Sequence, residues 1–507
     1  MNRPVGRPSL PLALPNSGPG EPPLFVAIAR TLSAEILKGR LKPGQRLPGS
    51  RNLAATLGVH RNTVLAALAE LSEEGWVETR PASGTFVSQA LPIHRPKAFA
   101  RRARDPLHVG FDLRGVVPDD ELPLECRYHM GGGAPDLRLL PRDVLARAYR
   151  RALRALHRLD YADPRGEASL RHALAAHLSA TRGLALSADD LLVTRGSQMA
   201  LDLAARSLFR AGDIVAVEAW GYRPAWRALQ AHGIELSPIP VDAHGIDVDR
   251  LTALCREKPQ IRGVYVTPHH QYPTTVTLSA PRRLQLLALA QERRLCILED
   301  DYDHEFHYEG RPILPLASAD DAGVVVYLGT LSKILAPGLR LGYVTAPRAA
   351  LDAMTRARRY VDRQGDAVLE AALAELFEDG EVMRHARRMQ RVYRARRDAT
   401  LAALDRDFGD LLRVRAPAGG MAFWATVHKG VDVDAWCARA RDAGVVLYPA
   451  SRYAFSGKKQ PYLRIGYAAL DDEERTQALA LLRRTARGAP LPGNRAGSRR
   501  LPRRAAD

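Results

Sequence analysis

The sequence predicts an α/β protein in two parts: a short unit of three helices and a β-hairpin, then a large region built on a mostly parallel sheet. Three observations predict it. Between Arg127 and about Arg487 the short apolar runs LLVT, DIVAV, GVYVT, LCILED and GVVVYL alternate with helical stretches, as strands buried on both faces do. Ahead of them, apolar residues recur at helical spacing and the period then changes to that of strands. A basic segment containing prolines separates the two regions, and 507 residues exceed one domain at roughly 150 residues each.

Composition excludes several classes. At 46% hydrophobic and 26% charged residues, the chain is neither wholly disordered nor collagenous. The net charge of +18 suits a polyanionic partner, but only eight of the 74 basic residues are lysine, and an arginine-rich coding bias accounts for that equally well. Cys126, Cys255, Cys296 and Cys437 lack any paired spacing, so a reducing cytoplasm is expected, with no disulfide framework and no metal centre. Pro11 and Pro15 interrupt the apolar patch near the start, and no later segment reaches 18 apolar residues. Neither secretion nor membrane insertion is expected.

Residues 1–23 carry prolines and glycines without periodicity and read as a disordered leader. Ile28, Leu32 and Ile36 mark a first helix ending near Gly39. A second begins near Ser50, Gly58 sits in a short turn, and a third runs from Arg61 to Glu74 with Val64, Leu65, Leu68 and Leu71 as its buried stripe. Trp76 to Arg80 and Thr85 to Ser88 read as strands joined by Pro81-Ala82-Ser83-Gly84. The resulting boundaries are 24–89 for this unit, 90–126 for a basic linker, 127–487 for the large domain and 488–507 for a basic tail.

A helix, a glycine turn and a second helix place the second helix's N-terminal residues in the DNA major groove. These are His60, Arg61, Asn62 and Thr63; Arg suits guanine and Asn suits adenine. Arg51 is placed to meet phosphate, and Gly84 at the hairpin tip allows close backbone approach. On these residues alone, a merely polar helix start explains as much. The stretch RLPGSRNLAATLGVHRNTVLAALAELSEEGWVETRPASGTFV, however, resembles the winged helix-turn-helix of the GntR superfamily. It departs at Gly49 and His60, where serine is commoner.

In the large region LLVTRGSQMAL passes from strand to helix through Gly196-Ser197-Gln198, leaving backbone N–H groups for an anion such as phosphate. An ordinary capped helix is the alternative. LCILEDDYDHEF runs an apolar strand into Asp300 and Tyr302, two residues apart and hence on one side. GVVVYLG leads to Thr330-Leu331-Ser332-Lys333, where the lysine is either a surface residue or an amine with a lowered pKa suited to Schiff-base chemistry. His269 and His270 read as loop-lining or capping residues, and Trp220 and Trp226 as packing.

TRGSQMAL, EDDYD and TLSKILAPGLRLGY resemble segments of fold-type I aminotransferases, which bind pyridoxal 5'-phosphate. The resemblance implies a smaller α+β C-terminal subdomain beside the mostly parallel sheet, and that Lys333 forms the internal aldimine, Asp300 pairs with the pyridine nitrogen and Tyr302 donates to the phenolic oxygen. It also implies that Gly196, Ser197, Gln198, Thr330 and Arg340 bind phosphate, that Tyr222 stacks on the ring and that Arg464 clamps a carboxylate. Where those enzymes have Asn-Pro-Thr-Gly, this chain reads Tyr272-Pro273-Thr274-Thr275.

The order of the parts, with HQYP and RRMQRVYRARRD at 387–398, resembles the MocR family of transcriptional regulators over about residues 24–487. That implies a homodimer binding double-stranded promoter DNA, with the DNA-binding unit of one subunit against the large domain of the other, and with the cofactor or a small amino compound as effector. An active aminotransferase with an accessory DNA-binding module, and a DNA-binding protein whose large domain only dimerises, remain the alternatives.

Overall fold

The computed structural model describes residues 23–92, 126–310 and 313–486. The expected leader up to residue 22, linker residues 93–125 with their basic cluster, and the tail from 487 lie outside the described residues. The chain divides between Asp120 and Glu121 into two compact units.

In the first unit, α1 (Leu24–Leu37), α2 (Ser50–Leu57) and α3 (Arg61–Glu73) precede an antiparallel hairpin of β1 (Val77–Arg80) and β2 (Gly84–Val87). Ile28, Leu32 and Ile36 of α1 close a core with Leu53, Val64, Leu68, Leu71, Val77 and Val87. Gly58, at φ 66°, ends α2 in the left-handed conformation that glycine adopts without strain. Leu65 corrects the expected stripe: it is 43% exposed, while Ala67 is fully buried. A helix turns about 100° per residue, so 64, 67, 68 and 71 share a face that 65 leaves. Gly84 also differs from expectation. It opens β2 opposite Arg80, and the turn itself is Pro81-Ala82-Ser83 with Ala82 at φ 58°.

The second unit is centred on a seven-stranded sheet. Its spatial order is Leu192–Thr194, Gly342–Thr345, Val325–Thr330, Cys296–Asp301, Ile261–Val266, Ile214–Glu218, Glu235–Ile239. The five apolar runs all become strands. Two further strands were not foreseen. Glu235–Ile239 contains Pro238, which only an edge strand tolerates without losing a ladder hydrogen bond. Gly342–Thr345 pairs antiparallel with both neighbours, so the sheet is mixed. Helices cover both faces, as the separate apolar clusters around Leu174 and Leu201 show. The 28-residue helix Glu381–Phe408 then leads to an antiparallel four-stranded sheet packed around Trp436 and Phe423.

Candidate functional site

The carboxyl ends of parallel strands leave a crevice where loops converge. Cys296–Asp301 delivers Asp300 there, in register with Leu328 of the next strand. Burial pushes the Asp300 carboxyl up to about 6, although the phenol of Tyr265 donates to its Oδ2 at 2.7 Å. Its Oδ1 is buried without a partner among the described residues, so one acceptor faces the crevice unused. Lys333 follows the neighbouring strand Val325–Thr330 through a tight turn and donates from Nζ to the carbonyl of Gly133 at 2.7 Å. Burial and the adjacent Arg464 charge push this ammonium down to about 8, against the opposing pull of Asp303 and Asp300.

The three segments expected to hold a phosphate lie together. Gly196, at φ 79°, precedes the helix Ser197–Leu208, whose first N–H groups carry no side-chain cap. The Thr330 hydroxyl bonds the Ser332 hydroxyl at 2.9 Å and accepts from the Ser332 N–H at 3.1 Å, bracing the turn before Lys333. Arg340, brought alongside by the antiparallel strand, donates to the Arg195 carbonyl at 3.0 Å, and its guanidinium lies 3.2 Å from where a Gly196 Cβ would stand. A side chain at 196 would displace that cation. Gln198 turns aside, donating to the Pro224 carbonyl at 3.0 Å. Its side chain braces that segment and leaves its backbone N–H, the group expected to meet a phosphate, among the uncapped ones at the helix start.

Tyr302 stands just beyond the strand that carries Asp300. The strand ends at Asp301, and Tyr302 lies in a bend where its hydroxyl donates to the His270 carbonyl at 2.9 Å. Burial holds its phenol well above the ordinary range, so it remains a donor. Tyr222, half-buried ahead of the helix Arg223–Gln230, has its ring centroid 5.5 Å from that of Tyr272. Arg464 is 1% exposed; it donates to the Pro273 carbonyl at 2.6 Å and stacks its guanidinium 4.5 Å over Tyr272. Its Nε has no partner among the described residues. Tyr272 thus supplies an aromatic wall where an asparagine amide was expected. The turn survives without its glycine, because Thr275 adopts φ 64° and its N–H bonds the Gln271 carbonyl at 2.7 Å.

Sequence reasoning missed Tyr265, Gly133 and Asp303, whose roles arise from long-range contacts, and Ser332, whose bonds to Thr330 are local. Only Ser332, beside the lysine, had a local signal. Trp226 packs against Phe455 and Trp220 against Trp424, as expected of packing residues.

In the first unit, α3 presents Arg61 and Asn62 exposed, with Thr63 half-buried. His60 Nδ1 accepts from the Asn62 N–H at 3.3 Å, so His60 caps the helix and stands before it. Arg61 Nε reaches the Ser50 hydroxyl at 3.3 Å, bringing the starts of α2 and α3 together, with exposed Arg51 beside Ser50. Arg46, near Gly84, and Arg80, 4.7 Å over Phe86, add cations at the hairpin that were not foreseen.

The class I and II aminotransferase family matches residues 131–482, and the gntR family of bacterial regulatory proteins matches residues 24–87. A probable rhizopine catabolism regulatory protein, MocR, of Rhizobium meliloti is 32% identical, covering 91% of this chain and 93% of its own length. The chain belongs to the MocR family. A second full-length relative of this MocR-type regulator is TauR of Rhodobacter capsulatus, an HTH-type transcriptional regulator, 32% identical over 92% of this chain and 97% of its own. The large domain of the MocR-type chain also superposes on the α-aminoadipate aminotransferase LysN of Thermus thermophilus, solved with N-(5'-phosphopyridoxyl)-L-leucine. The TM-score is 0.65 at 31% identity, covering 71% of this chain and 92% of that one. The crevice of the MocR-type chain fits pyridoxal phosphate by its own chemistry: an unpartnered buried carboxylate oxygen, a depressed amine and an uncapped helix start beside a guanidinium.

Proposed function

We propose that this regulator adjusts its grip on promoter DNA according to what occupies the crevice at Lys333. Its cofactor is pyridoxal phosphate. When bound, that group supplies an aldehyde for amines and an electron-withdrawing ring. The single observation that carries the reading is the pairing of Lys333, pushed down to about 8, with a buried Asp300 whose Oδ1 is free to accept from a ring N–H. Gly196, Ser197, Gln198 through its backbone N–H, Thr330 and Arg340 would hold the phosphate, Tyr302 the phenolic oxygen and Tyr222 the ring face.

Arg464 would take the carboxylate of an amino-acid-like effector, since bidentate binding suits guanidinium and its Nε is uncommitted. Arg61, Asn62, Thr63 and Arg51 would meet DNA, with Gly84 letting the hairpin backbone approach. His60 would act through the cap it forms. Exposed Leu156, Leu159, Tyr161 and Tyr360, the last 90% exposed, support a second copy covering this surface. A ligand shifts DNA affinity only by as much as it discriminates between two states. The test is promoter binding by full-length protein, with and without pyridoxal phosphate and a panel of amino acids. A change of threefold or more that disappears in Lys333→Ala is expected; identical binding in every condition overturns the sensor reading.

The complete amine, carboxylate and arginine set also suits turnover of an amino acid. Keto-acid production at ordinary enzyme rates, unaffected by DNA, would favour that second reading.

A further inference from the structure

Beside the cofactor crevice four imidazoles crowd together: His269, His270, His304 and His307, none more than 8% exposed. The rings of His269 and His304 stack at 4.2 Å, and His270 lies 4.4 Å from His269 and 5.8 Å from His307. Polar groups buried this deeply are ordinarily hydrogen-bonded. Here both nitrogens of His269, Nε2 of His270 and Nδ1 of His307 have no hydrogen-bond partner among the described residues.

Their mutual geometry is more telling than their number. One nitrogen from each of His269, His270 and His307 lies within 4.8 Å of the other two. His270 Nδ1 bonds Asp303 Oδ1 at 2.8 Å, and a carboxylate acceptor requires the proton to sit on Nδ1. The lone pair of Nε2 is therefore left unused. A carboxylate behind an imidazole is how a metal-binding histidine is held in tautomer and orientation. Gly419 backs this imidazole closely: a Cβ there would come within 2.3 Å of that same Nε2, so the ring keeps its place only beside a glycine. A second buried carboxylate, Asp301, sits 3.0 Å from His304 Nδ1 and adds negative charge nearby.

We propose that His269, His270 and His307 form a binding site for a zinc-class divalent metal ion, with Asp303 orienting His270. Imidazole is a favoured ligand of such ions, and three of them suit zinc. Zinc–nitrogen bonds of about 2.0–2.1 Å bring ligand nitrogens to roughly 3.4 Å apart, so binding draws the rings inward from their present spacing. None of the three imidazoles belongs to the cofactor set. Only the His270 backbone carbonyl touches it, through Tyr302.

The test uses untagged full-length protein loaded with pyridoxal phosphate, exposed to zinc sulfate and dialysed against metal-free buffer. Elemental analysis is expected to find about one zinc per chain. Competition with a chromophoric chelator should show weakening of at least tenfold in His269→Gln and His307→Gln, and of about 10–100-fold in Asp303→Asn. Far-ultraviolet circular dichroism and a cooperative thermal transition report that each variant is folded. If the variants do not fold, X-ray absorption of the zinc-loaded native protein decides, with scattering from three imidazoles expected. Substoichiometric zinc, equal retention by folded variants, or sulfur in the first coordination sphere overturns the site.

Discussion

Lys333 is the residue on which the chemistry turns, and its surroundings set the pH at which it can act. An amine attacks an aldehyde only when neutral, and neutrality increases as pH rises through the pKa. Pushed down to about 8, Lys333 is about one-tenth neutral at pH 7, against roughly one in 3,000 for an ordinary lysine. The rate of cofactor uptake by apoprotein, followed by visible absorbance, should therefore climb with pH to a midpoint near 8. A midpoint above 10 would show that burial does not act on this amine. Asp300, raised to about 6, is charged above that pH, and Asp300→Asn should weaken retention of the cofactor by tenfold or more while leaving Lys333 able to react. Lys333, Asp300 and Arg464 were legible because each stands in a short local motif. The partners that tune them were not: Tyr265 and Gly133 lie far away in sequence, and no spacing rule joins them.

Elements matter through what they bring together. The antiparallel strand Gly342–Thr345 carries no strong apolar run, yet it seats Arg340 beside Gly196. A Cβ at Gly342 would come within 2.8 Å of the Gly329 carbonyl and 2.9 Å of Gly196 Cα, both backbone, so neither can yield cheaply. Gly342→Ala should lower phosphate-dependent cofactor affinity at least tenfold, measured by equilibrium dialysis; unchanged affinity would separate this strand from the proposed phosphate site. In the small unit, α3 offers a paired test. Leu71 is fully buried and Leu65 is 43% exposed. Leu71→Ala should cost about 2–5 kcal/mol in denaturant unfolding and Leu65→Ala less than about 1 kcal/mol. Equal losses would restore the stripe that the sequence predicts.

At the scale of the whole molecule, a DNA reader and a cofactor crevice occupy separate compact units of one chain. The excess of 18 positive charges acts on any polyanion, whereas Arg61 and Asn62, exposed at the start of α3, are the residues we propose discriminate bases. At fixed salt, Arg61→Ala should cost about 1–3 kcal/mol on the cognate promoter and much less on random DNA. Equal losses on both would reassign Arg61 to the phosphate backbone. No helix among the described residues is long and apolar enough to cross a membrane.

The sequence alone determined the small unit's succession of elements and five of the seven central strands, because helical and strand periods, glycine turns and motif spacings are local; Glu235–Ile239 and Gly342–Thr345 carry no such local signal. It also pointed to the cofactor, since TRGSQMAL, EDDYD and TLSKILAPGLRLGY are short local motifs that resemble segments of fold-type I aminotransferases. Tertiary structure alone decided the antiparallel direction of Gly342–Thr345, the aromatic wall of Tyr272 against Arg464 and the gathering of His269, His270 and His307. Strand pairing and burial join residues distant in the chain, and a one-dimensional pattern carries no term for that proximity.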